Sequence, residues 1–113
     1  MERGVEMKIG IIGGGSWGTA ISKNLSLNGH DVYIWTIEEK VFESFRWNEN
    51  PYYLPGIKLP KNINCSMDID FVQKDADILV FALPTQVIRE VIKQIKNKSA
   101  IYVNLSKGLE IST

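Results

Sequence analysis

Gly13, Gly15 and Gly18 form a G-x-G-x-x-G pattern directly behind the apolar run Ile9-Gly10-Ile11-Ile12. Where this pattern ends a strand and opens a helix, each glycine has its own steric task. The first permits a tight turn, the second lets a pyrophosphate approach the backbone, and the third lets helix and strand pack closely. The N–H groups of the first helical turn then face the phosphates with the positive end of the helix dipole. Glu38 lies twenty residues past Gly18, where an acid that accepts hydrogen bonds from a ribose 2′-hydroxyl is expected. A carboxylate repels the 2′-phosphate of NADP, and Trp35-Thr36-Ile37-Glu38-Glu39 brings no Arg or Lys before Lys40. The chemistry indicated is dinucleotide binding, with NAD favoured over NADP. The plainer alternatives are a glycine-rich turn that holds no ligand and a Glu38 that only favours the N-terminal dipole of the next helix. Both roles of Glu38 are compatible.

Other reactive side chains offer less. Cys65 has neither a histidine nor a second cysteine near it in sequence, so neither a nucleophile nor a metal ligand is expected there. His30 follows a glycine and reads as a turn residue. Arg89 and Glu90 fall on the polar side of a helical stripe. The sequence holds no H-E-x-x-H, G-x-x-x-x-G-K-[ST] or C-x-x-C motif, and no metal site is expected.

The elements that must position the glycines and the acid alternate between short β-branched runs and amphipathic runs, the pattern of a parallel sheet with crossover helices. Strands are predicted at Lys8–Ile12, Val32–Trp35, Ile63–Cys65, Ile78–Ala82 and Ala100–Leu105. Helices are predicted over Trp17–Asn28, from Glu38 to about Trp47, over a short Asp68–Val72 segment, and over Thr85–Lys96. In the last of these Val87, Ile88, Val91, Ile92 and Ile95 share a stripe. Gly29 sits where a left-handed C-cap belongs. Asn48–Lys61 carries Pro51, Pro55 and Pro60 and reads as an ordered surface loop, because proline cannot donate to a ladder. Its Tyr52-Tyr53-Leu54-Pro55-Gly56 stretch either lines a ligand pocket or covers the end of the sheet. The fold class is α/β, a doubly wound parallel sheet in the order 3-2-1-4-5.

Composition bounds the rest. The 113 residues suit a single domain, and 44% hydrophobic residues with 10% aromatics exclude a wholly disordered chain. Thirteen basic groups balance thirteen acidic ones, which argues against nucleic acid or an anionic membrane as the main partner. The longest apolar run, Ile78 to Leu83, is far too short to span a bilayer, and the start lacks a secretory signal. Met7 is an alternative start. A single cysteine, Cys65, points to a reducing, cytoplasmic setting.

With these elements in place, one family comes into view. Gly13-Gly14-Gly15-Ser16-Trp17-Gly18-Thr19-Ala20 resembles the G-x-G-S/N-W-G-[ST]-A signature of NAD(P)-dependent glycerol-3-phosphate dehydrogenases. Glu49-Asn50-Pro51-Tyr52-Tyr53-Leu54-Pro55-Gly56, with Leu59-Pro60, is similar to that family's E-N-x-x-Y-L-P-G loop. Further matches are Ala76-Asp77-Ile78-Leu79 through Leu83-Pro84-Thr85-Gln86, and Ser106-Lys107-Gly108-Leu109-Glu110. The resemblance implies a Rossmann-type unit and reversible hydride transfer between glycerol 3-phosphate and NAD, giving dihydroxyacetone phosphate. It implies that Ser16 and Trp17 contact the cofactor and that Lys107 lies near substrate and nicotinamide. Read from its position alone, Lys107 is a loop lysine past the carboxyl end of a strand, and Trp17 is equally a core residue of the first helix.

The resemblance also implies that the general-base lysine and the helical substrate domain belong to a later segment. Residues 1–113 are therefore expected to be an incomplete NAD-binding domain that holds cofactor without turnover. Two rivals remain at this point: a non-catalytic NAD-binding module, and the front of a hydroxyacyl-CoA or 6-phosphogluconate type of dehydrogenase. An unpaired outer edge on the fifth strand leaves room for a homo-oligomer.

Overall fold

A computed structural model describes residues 6–105. The first strand, β1 (Lys8–Ile12), runs into α1 (Ser16–Leu27), which returns to β2 (Asp31–Trp35). The helix stops because Asn28 ends the ladder and Gly29 takes φ 93°, the left-handed cap that a glycine adopts freely. After β2 come α2 (Glu39–Ser44), one 3-10 turn (Phe45–Trp47), β3 (Glu49–Asn50), β4 (Leu54–Lys58), β5 (Asn64–Ser66) and α3 (Ile69–Gln73). The chain continues through β6 (Ile78–Phe81), α4 (Thr85–Ile92) and β7 (Ile101–Asn104).

Five strands pair in parallel in the order β5-β2-β1-β6-β7, which is the expected 3-2-1-4-5 once the short β3 and β4 are set apart. Consecutive side chains of a strand point to opposite faces, so the sheet needs cover on both. On one face Ile9, Ile11, Val32, Ile34 and Val80 are buried under Ile21 and Leu25 of α1. On the other Ile12, Trp35, Leu79 and Phe81 meet Ile69 and Val72 of α3 and Ile88 and Val91 of α4. Ile11, Ile34 and Leu79 are wholly buried, and each stabilises the fold by roughly 1.5–3 kcal/mol relative to exposure. No helix among the described residues is long and apolar enough to cross a membrane.

Three sequence expectations are corrected. The helix predicted from Glu38 to Trp47 is α only to Ser44, because the Ser44 hydroxyl donates to the Val41 carbonyl at 2.6 Å and Asn48 turns left-handed at φ 59°. A hydroxyl that bonds back to the preceding turn competes with the helical ladder. The helix predicted to Lys96 ends at Ile92. Here the buried Gln73 amide takes over the backbone: its nitrogen donates to the Gln94 carbonyl, and its oxygen accepts from the Lys96 and Asn97 N–H groups. Ile92, the last residue of α4, is 43% exposed, while Ile88, Val91 and Ile95 are buried.

The third correction concerns the proline-rich segment, which is a small antiparallel ribbon of β3 and β4. Its paired positions are Glu49 with Lys58 and Asn50 with Leu54, and the register shifts between them. Pro55 and Gly56 fall inside that irregularity, where the ladder asks for no N–H donor.

Cys65 sits in β5 at the sheet edge and packs against the α1-side core. Burial pushes its thiol up from 9.0 to about 12, so at pH 8 the thiolate is scarcer by roughly three orders of magnitude than in the unfolded chain. The folded chain is expected to react with a thiol-specific disulfide reagent at pH 8 at least about a hundredfold more slowly than the chain in denaturant. Equal labelling rates would show that the thiol is freely solvated.

Candidate functional site

The chain winds outward from β1 through β2 to β5 and then returns to β6 on the other side of β1, so the strand order reverses at the carboxyl ends of β1 and β6. In open parallel sheets this is where ligands are held. Gly13 leaves β1 at φ 128°, and its N–H donates to the Trp35 carbonyl at 3.0 Å, keeping the turn on the sheet. A Cβ at Gly13 would lie 2.4 Å from the Ala82 carbonyl oxygen, so both its backbone angle and its surroundings require glycine. At Gly18 a Cβ would stand 1.9 Å from the Gly13 carbonyl oxygen, so α1 crosses its own entry turn at the closest approach the backbone allows.

Gly15 is the opposite case, for a Cβ there meets nothing within 4 Å among the described residues. It is the N-cap of α1, no side chain caps it, and the first turn holds no acidic residue. The N–H groups of that turn are left to a ligand or to solvent. The space over Gly15 and the uncapped end of α1 fit a pyrophosphate on steric and electrostatic grounds.

Glu38 stands at the N-cap of α2 without making a side-chain cap. Its N–H donates to the buried Thr36 hydroxyl at 3.1 Å, which fixes its backbone just past β2. Its carboxylate accepts instead from the Tyr53 hydroxyl at 2.6 Å, a charge-assisted bond. Donation to Glu38 raises the titration of Tyr53 above the ordinary phenol range, and burial and the carboxylate's charge act in the same direction. Tyr53 therefore remains a donor through neutral and mildly alkaline pH, and the bond is lost only as pH climbs through that raised value.

Ser16 and Trp17 open α1. The Ser16 hydroxyl donates to the Tyr53 carbonyl at 2.7 Å. Trp17 is 57% exposed, which sets aside its reading as a core residue of the helix. The structure thus gathers Gly13, Gly15, Ser16, Trp17, Gly18 and Glu38 at one end of the sheet. Lys107 lies outside the described residues.

Sequence reasoning missed the part played by the β3–β4 ribbon. Asn50, wholly buried, donates through Nδ2 to the Gly14 carbonyl at 3.0 Å and to the Thr19 hydroxyl at 2.8 Å. The Gly14 oxygen can only accept, so it fixes which way the amide faces. Among the described residues Asn50 Oδ1 is buried without a hydrogen-bond partner, beside the glycine loop. The signal was the Asn50-x-x-Tyr53 spacing, which puts one polar group on the loop and another on Glu38. A concavity of about 810 Å³ lies at the opposite end of the sheet, lined by Gln73, Lys74, Asp77 and Asn97 among others, and has no part in this arrangement.

A family model described as the N-terminus of NAD-dependent glycerol-3-phosphate dehydrogenase matches residues 8–113. The chain belongs to that family. The glycerol-3-phosphate dehydrogenase [NAD(P)+] of Bacillus licheniformis is 40% identical over 94% of this chain and 32% of its own length. The enzyme of the same name from Carboxydothermus hydrogenoformans is 38% identical over 92% of this chain and 32% of its own. The solved glycerol-3-phosphate dehydrogenase of Saccharomyces cerevisiae superimposes with a TM-score of 0.80 at 30% identity, covering 88% of this chain and 33% of that one. The chain spans about a third of the length of these members of the dehydrogenase family. A diketoreductase superimposes with a TM-score of 0.66 at 19% identity and so shares the fold alone. Neither rival reading, the non-catalytic module or the other dehydrogenase types, is favoured by these relatives.

Proposed function

We propose that this chain is the NAD-binding unit of an enzyme that interconverts sn-glycerol 3-phosphate and dihydroxyacetone phosphate by hydride transfer. The observation that carries the cofactor choice is the Glu38 carboxylate, fixed at the end of β2 beside the glycine loop. Relatives in the family carry names that admit both NAD and NADP. Glu38 supports a narrower preference here, because it accepts from a ribose diol and repels a 2′-phosphate. In this reading the space over Gly15 takes the pyrophosphate, the N–H groups of Ser16 and Trp17 face it, and Gly13 and Gly18 shape the turn. Bound NAD supplies the hydride acceptor. Lys107, just beyond β7, brings a cation toward the substrate phosphate or the nicotinamide. The turnover is proposed for the whole enzyme, with this chain as its cofactor-holding part, working in the cytoplasm.

Quenching of tryptophan fluorescence tests the choice, since Trp17 lies at the site with an exposed ring. NADH is expected to bind at least about tenfold more tightly than NADPH, the scale of one hydrogen bond to a charged group gained and one repulsion avoided. Glu38→Gln should narrow the difference. Equal titration curves for the two coenzymes with the unaltered chain would remove Glu38 from the ribose.

A further inference from the structure

The ribbon of β3 and β4 reaches the cofactor site at three points, and only one of them meets the residue that reads the coenzyme. Asn50 is tied to the Gly14 carbonyl and the Thr19 hydroxyl. The Tyr53 carbonyl accepts from Ser16 at the start of α1, and the Tyr53 hydroxyl donates to Glu38 Oε2 at 2.6 Å. The Tyr53 backbone is therefore pinned to the glycine loop while its hydroxyl spans to the acid.

We propose that Tyr53 is the positioning residue for coenzyme selection: its hydroxyl holds the Glu38 carboxylate in the orientation that accepts from a ribose hydroxyl and rejects a 2′-phosphate. The proposal rests on the reading of Glu38 as the ribose acid. A carboxylate offers about four lone-pair directions on two oxygens. Tyr53 occupies Oε2 and leaves Oε1 for a ligand hydroxyl. A glutamate side chain is otherwise among the most rotamer-rich, and fixing it on binding would cost affinity. With Thr36 on its N–H and Tyr53 on its carboxylate, Glu38 is ordered at both ends before the coenzyme arrives. The same order fixes its negative charge where a 2′-phosphate would sit. Without the hydroxyl, the carboxylate remains but swings into solvent, so the attraction to NADH and the repulsion of NADPH both weaken.

The test is Tyr53→Phe, which keeps the ring and removes only the oxygen, measured beside Glu38→Gln and the double variant by titration of the whole chain with NADH and NADPH. Tyr53→Phe is expected to weaken NADH roughly three- to tenfold, the scale of a partly exposed charge-assisted hydrogen bond, while NADPH binds as well as before or better. In the Glu38→Gln background the same change should leave the ratio of the two affinities where it was. A merely structural role would weaken both coenzymes by the same factor, and that result overturns the proposal. So does an unchanged ratio in Tyr53→Phe, or a melting temperature lowered by more than about 5 °C, which would mark the hydroxyl as a fold contact. If Glu38→Gln leaves the ratio unaltered, the ribose reading itself falls and takes the proposal with it. If Glu38→Gln narrows the ratio and Tyr53→Phe does not, only the role of Tyr53 falls.

Discussion

Gly18→Ala is expected to lower the melting temperature by at least about 10 °C and to abolish coenzyme binding with it. The added Cβ would lie 1.9 Å from the Gly13 carbonyl oxygen and 3.3 Å from Ile11 Cγ2. The first of these neighbours is backbone, so no side-chain rotation relieves the overlap. Gly13 cannot retreat, because its N–H is bonded to the Trp35 carbonyl and its own Cβ direction is closed by Ala82. The remaining relief is to lift α1 off the sheet, which opens the core where Ile21 and Leu25 cover Ile9, Ile11 and Ile34. Forced expansion of a packed site costs about 1–3 kcal/mol and sometimes more, a large share of the stability of a domain this size. Thermal melting followed by far-UV circular dichroism checks it. A melting curve within about 2 °C of the unaltered chain would show that α1 has room the geometry denies it.

Gly15→Ala is the matching case with the opposite signature. Its Cβ meets nothing within 4 Å among the described residues, and the backbone at φ −82° and ψ −161° is one that alanine adopts without strain. The melting temperature should therefore stay within about 2 °C of the original. Coenzyme affinity should fall at least about tenfold, because the methyl group stands where a pyrophosphate must approach the first-turn N–H groups. The two substitutions are the same chemical change three positions apart, and they separate a glycine that the fold needs from one that the ligand needs. Undiminished NADH binding by Gly15→Ala would place the phosphates elsewhere.

The sheet was legible in the sequence because its determinants are local and repeated. A short apolar run with β-branched Ile78 and Val80, bounded by Asp77 and Pro84, reads as a buried strand, and Gly29 marked the left-handed turn that closes α1. The glycine pattern and the acid twenty positions on are a fixed-spacing signal, so their shared location at the strand ends was also within reach. What could not be read was set by distant partners. The early end of α4 depends on Gln73, more than twenty positions upstream, competing for its backbone. The ribbon inside the proline-rich segment depends on prolines falling between paired positions, a matter of register that composition does not carry. For the same reason the sequence presents Tyr53 only as a loop aromatic and not as the partner of Glu38, since only the fold brings its hydroxyl to that carboxylate.

The bonds that tie the ribbon to the glycine loop join residues 31, 36 and 37 positions apart. A strand–turn–helix unit is usually regarded as a self-contained module, transferable between chains because everything that shapes it lies within a short stretch. Here the turn acquires its last donor only when Asn50 arrives, after β2 and α2 have been laid down in the sequence. Closing a loop of that size carries an entropy cost that grows slowly with length and must be met before the contacts repay it. The geometry of the turn is thus shared between residues 13–19 and a donor that the chain supplies only beyond α2. Grafting residues 8–28 onto another sheet would transplant the signature and leave behind the part of the chain that completes it.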